Sequence, residues 1–80
     1  MKKSEIISLA SQRGICVYEQ YEGRRVWYKV RIPIFTDGKV IPTGYKDETV
    51  WNIKGVKEVV DKLWKDEEYR LRTQNWLSKY

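Results

Sequence analysis

Eighty residues make one small domain, long enough to fold alone but too short to enclose a deep substrate cavity beside its own core. Sixteen Lys and Arg against eleven Asp and Glu leave a net charge of +5, compatible with an anionic partner without demanding one. The absence of histidine and the single cysteine, Cys16, exclude an ordinary zinc site and an internal disulfide and remove the commonest general base.

The first predicted helix covers about residues 4–13, with Ser4 as N-cap, Ile6, Ile7, Leu9 and Ala10 on its apolar side and Gly14 as its stop. The segments ICVYEQY and RVWYKVRIPI follow, β-branched and aromatic, predicting strands at 15–21 and 25–35 joined by a tight turn at Glu22 and Gly23. Asp37 and Gly38 predict a second hairpin leading into a strand at 39–46. Asn52 can cap a helix at 53–65 whose stripe is Ile53, Val56, Val60 and Leu63, with Gly55 weakening its first turn. The stripe then changes phase to Tyr69, Thr73, Trp76, Leu77 and Tyr80, so a break near Asp66 and a third helix at 67–79 are expected. The predicted fold is a single α+β domain, α-β-β-β-α-α, a three-stranded antiparallel meander with a helix packed on one face.

Two-residue turns at these positions set the registers, and registers set the faces. One face collects Ile15, Val17, Val26, Tyr28, Val30, Ile32, Ile34, Ile41 and Tyr45, ready to receive the second helix. The other collects Tyr18, Gln20, Arg25, Trp27, Lys29, Arg31 and Lys46, with Tyr18 opposite Trp27, Cys16 opposite Lys29, and Lys29 opposite Lys46. Between residues 24 and 46, Arg24, Arg25, Lys29, Arg31, Lys39 and Lys46 stand against Asp37 alone, which equals the excess charge of the whole chain.

Cations neutralise phosphates and aromatic planes receive bases or sugars. Arg24, Arg25, Trp27, Lys29, Arg31, Lys46 and Tyr18 are therefore the candidate nucleic-acid-binding residues. The same pattern also describes an ordinary solvated sheet face with a cross-strand aromatic pair. A second expectation concerns Tyr69, Trp76, Leu77 and Tyr80, which form a protein-interaction stripe if they stay exposed and cover the basic face if the last helix folds back over it.

Weaker candidates are Lys54 and Lys57 near a helix start, the consecutive Asp66, Glu67 and Glu68, the loop pair Asp47 and Glu48, Glu19 on the apolar side, and Cys16 beside a lysine. No phosphate loop, nucleophile elbow or dinucleotide fingerprint is present. No apolar run approaches the ~20 residues of a membrane span, and MKKSEIISLASQRG is broken by Glu5 and Ser8 where a signal peptide is apolar.

The element order resembles the double-stranded-RNA-binding domain, DGKVIPTGYKDETVWNIKGVKEVVDKL being similar to its third strand and final helix, with Lys54 and Lys57 at the place of that family's helix-start lysines. From Ile15 to Leu63 the chain also resembles the three-stranded DNA-binding domains of phage integrases and of the AP2 type. That second resemblance implies an open sheet face in the major groove, a role falling on Arg25, Trp27, Lys29 and Arg31. The expectation is a cytoplasmic, non-enzymatic module without cofactor, small-molecule substrate or membrane association, binding nucleic acid, duplex DNA before RNA. The alternative is a phage-type or mobile-element inhibitor or adaptor that dimerises or binds a protein through its last helix.

Overall fold

The computed structural model of the chain describes residues 1–79. Its elements run α1 (Lys3–Gln12), β1 (Cys16–Glu22), β2 (Arg25–Ile34), β3 (Gly44–Val50), α2 (Ile53–Lys65) and α3 (Glu67–Lys79). The strands form one antiparallel sheet in the order β1-β2-β3, so the small α+β architecture is the one the sequence predicts. No helix among the described residues is long and apolar enough to cross a membrane.

Four helix boundaries have an identifiable chemical cause. Lys2, rather than Ser4, is the N-cap of α1, and its backbone N–H donates to Glu5 Oε1 at 3.0 Å. Gly14 ends that helix in the left-handed region at φ 78, and it also has to be small: a Cβ there would meet Thr73 at 3.0 Å and Trp76 at 3.1 Å. The Asn52 side chain accepts from the Gly55 N–H at 2.7 Å to start α2, and Asp66 Oδ1 accepts from the Tyr69 N–H at 3.2 Å to start α3.

The core lies between one sheet face and the helices. Ile6 and Ala10 of α1, Ile15, Tyr28, Val30 and Ile32 of the sheet side, Val56 and Val60 of α2, and Tyr69 of α3 are all buried. The third helix packs against α2 and lies along no strand. Its inward side chains close the end of the molecule instead: Tyr69 and Trp76 make edge contacts with Phe35, and the Tyr69 hydroxyl donates to the Arg13 carbonyl at 2.8 Å. Burial pushes that phenol upward from its usual pKa.

Both registers differ from those expected, with opposite consequences. The first turn is Gly23 and Arg24, so Val17 faces Val30 instead of Tyr28. Gly23 takes φ 64 while no non-glycine residue among those described is positive, which fits a turn that places glycine at its first central position. A slip of two residues leaves every side chain on its predicted face. The second register slips by three: Ile34 faces Gly44, Ile32 faces Lys46 and Arg31 faces Asp47. An odd slip exchanges the faces of the partner strand, so Tyr45 moves to the open side and Lys46 to the helix side. Residues 35–43 form a loop in which Asp37 and Gly38 do turn, with the Lys39 N–H donating to the Thr36 carbonyl at 3.1 Å, but the ladder resumes only at Gly44. Ile34 and Ile41, expected in the core, are 46% and 47% exposed.

Candidate nucleic-acid interface

The sheet face away from α1 and α2 is built by alternation. From β1 it takes Cys16, Tyr18, Gln20 and Glu22, from β2 Arg25, Trp27, Lys29 and Arg31, and from β3 Tyr45, Asp47 and Thr49. Among the described residues no helix lies over it. Tyr18 is 41% and Tyr45 54% exposed, and Trp51, just past β3, is 65% exposed.

Aromatic planes and cations interleave across this surface, in pairings the sequence reading did not have. Trp27 stands opposite Gln20 rather than Tyr18, and its aromatic neighbour is Trp51, with ring centroids 6.2 Å apart at 52°. Tyr18 stands opposite Lys29, and both Lys29 Nζ at 5.8 Å and the Arg31 guanidinium at 5.5 Å approach its ring. Cys16 is exposed and lies opposite Arg31, not Lys29. Arg25, Val26 and Trp51 line a shallow depression at the hairpin end of the sheet, and exposed Arg24 occupies the turn beside it.

The face is less basic than expected. Its strand residues carry Arg25, Lys29 and Arg31 against Glu22 and Asp47. Arg31 is paired with Asp47 through two bonds, Nε to Oδ1 at 2.9 Å and Nη2 to Oδ2 at 3.2 Å. That contact holds the Asp47 carboxyl below its ordinary pKa and raises that of Arg31. Lys46 lies on the opposite side, where it pairs with Glu48 at 3.0 Å, so it is no part of this surface. Trp51, Tyr45 and Asp47 are the members the sequence reading missed.

Most of the other candidates have partners within the fold. Glu19 accepts from the Tyr21 hydroxyl and from Lys3 Nζ at 3.0 Å, and these two bonds, the tyrosine's first, lower its pKa. Asp66 caps α3 and Glu68 pairs with Arg72 at 2.9 Å; no group able to hold a metal ion occurs among the described residues. Lys57 is tied to Asp61 at 2.7 Å, while Lys54 is exposed. Of the proposed protein-interaction stripe, Tyr69 is buried and Trp76 is half-buried against Phe35. Leu77 is 37% exposed, and Tyr80 lies outside the described residues.

No protein-family model matches the chain, and no curated protein or solved structure matches it.

Proposed function

We propose that this chain is a non-enzymatic nucleic-acid-binding module that lays the open face of its sheet on duplex DNA. The observation that carries the reading is an uncovered face on which Trp27, Trp51 and Tyr18 alternate with Arg25, Lys29 and Arg31. Aromatic rings exposed on a small protein favour a contact surface over plain solvation, and the cations between them supply the attraction to phosphate. Arg24 in the first hairpin turn and Lys39 in the loop after β2 add charge at the two ends of the same sheet. The alternative, a protein partner for α3, has less to work with, because Tyr69 and Trp76 are engaged in packing the fold.

Titrating the protein into a fluorescein-labelled DNA duplex, with anisotropy read over a series of salt concentrations, tests the proposal. Binding at low salt is expected, and replacing Arg25, Lys29 and Arg31 together by alanine reduces the log–log salt slope by about 2 to 3. Trp27→Ala and Trp51→Ala weaken binding with the slope kept. A wild-type protein that binds no duplex at low salt, or a triple variant that binds as the wild type does, defeats the proposal.

A further inference from the structure

The carboxylate that makes the open face less basic also determines what Arg31 can do. Asp47 takes the Nε–H and an Nη2–H of Arg31, the edge of the guanidinium beside its own stem. The Tyr18 ring lies 5.5 Å from the guanidinium carbon. A guanidinium carries five N–H donors in a rigid plane, so this arrangement leaves the two-donor edge at its tip, Nη1 with Nη2. Nη1 has no partner among the described residues. Arg25 and Lys29 have no ion-pair partner among those residues, and the approach of Lys29 Nζ to the Tyr18 ring at 5.8 Å lacks the planar two-bond hold that Asp47 has on Arg31.

Charge and fixation separate the roles of these cations. Beside Asp47, the pull of Arg31 on a phosphate is offset by a neighbouring negative charge, whereas its directed donors are retained. Arg31 shares the central strand of the sheet with Arg25 and Lys29, and among the described residues it is the one of the three with an ion-pair partner. A directional, partly neutralised donor pair suits a base edge; free cations suit the backbone.

We propose that Arg31, held by Asp47 and set against the Tyr18 ring, is the base-reading residue of the open face, and that it reads guanine through the major groove. Guanine presents O6 and N7 there as two adjacent acceptors, matching the tip of a guanidinium, while adenine replaces one acceptor by an amino donor. The inference rests on the reading of this face as a duplex-DNA platform and adds the base it selects.

The experiment enriches duplexes from a randomised pool with the wild-type protein and compares them with a scrambled duplex by anisotropy. A shared guanine is expected in the enriched sequences, and exchanging it for adenine or 7-deazaguanine lowers wild-type affinity about tenfold. Arg31→Lys removes that difference. Asp47→Asn has a signature that mere loss of structure does not imitate: equal or tighter binding to the scrambled duplex, because a negative charge is gone, with a smaller preference for the guanine-bearing one. Enriched sequences without a common guanine, or an Arg31→Ala variant weakened equally on enriched and scrambled duplexes, overturn the assignment while leaving the platform intact. A wild-type protein that binds no duplex overturns both.

Discussion

Trp27 and Tyr28 are consecutive in β2 and belong to different environments. Tyr28 is 5% exposed among the buried residues beneath the helices. Trp27 points the other way, toward Trp51, which is 65% exposed. Both are aromatic, so residue type alone does not assign them. What separates them is the layer above: α1 and α2 close over one face, and the remaining helix, α3, packs at the end of the molecule against Phe35 and the Gly14 turn. From Val26 to Ile32 the strand therefore holds the fold with its even-numbered side chains and leaves its odd-numbered ones on the open face.

Truncating one aromatic on each side breaks this comparison most directly. Tyr28→Ala empties a packed site and should cost about 3 kcal/mol, much of the stability of a domain this size. Trp51→Ala removes a ring already mostly in water and should cost under about 0.5 kcal/mol. Urea unfolding followed by far-UV circular dichroism measures both. If Trp51→Ala destabilises the chain as much as Tyr28→Ala does, the open face is part of the fold's stabilising core.

The first face was legible in the sequence and the second only in part, for a reason visible at two prolines. Along β2 the alternation of Val26, Tyr28, Val30 and Ile32 assigns its faces whatever the partner, and the two-residue slip at Gly23 preserves that assignment in β1. The Asp-Gly signal at residues 37 and 38 is a true local turn, but taking it as the hairpin turn places Pro33 opposite Pro42, two residues without an N–H to give the ladder. The observed pairing of Pro33 with Tyr45 avoids this, leaving Pro42 in the loop. With that conflict weighed, Tyr45, Asp47, Thr49 and Trp51 fall on the open side by alternation. The Arg31 and Asp47 pair was out of reach without the register, because nothing in the spacing of residues 31 and 47 announces it. The packing of Tyr69 and Trp76 against Phe35 was equally hidden, since helical phase shows that a stripe exists and not which loop it meets.

Gly55 sharpens the comparison on the covered side with a smaller effect. By helix propensity alone, Gly55→Ala in α2 should stabilise the protein by up to about 1 kcal/mol. The structure reverses the sign: a Cβ at residue 55 would stand 2.7 Å from Val50 Cγ1 and 3.3 Å from the Asn52 oxygen that caps the helix. Val50 is β-branched and has few rotamers into which to retreat, and overpacking of this kind costs about 1–3 kcal/mol. A net loss near 1 kcal/mol in urea unfolding is expected. A gain would mean that Val50 yields freely and that this side of the sheet is looser than its burial implies.

The smallest expected effect compares the carboxylates of the two sides. Asp47 on the open face is held below the ordinary 3.8 by its bonds from Arg31. Asp61 on α2 is lowered first by Lys57 at 2.7 Å and then by Arg13 at 3.2 Å. A carboxyl whose folded pKa lies below its unfolded value binds its proton less readily when folded. Its stabilisation is therefore complete above the unfolded value and disappears as the pH falls from there through the folded one. Both pairs are well exposed, so each contribution is small and screened by salt. Unfolding followed from neutral pH downward should show stability declining as the pH passes below about 4. Asp61→Asn should flatten that decline more than Asp47→Asn, because its carboxylate has two cationic partners and Arg13 also lies over the Trp64 ring at 5.1 Å. Equal flattening would place the two sides on the same electrostatic footing. A stronger effect of Asp47→Asn would make its pairing with Arg31 a fastening of the fold more than a holder for the guanidinium.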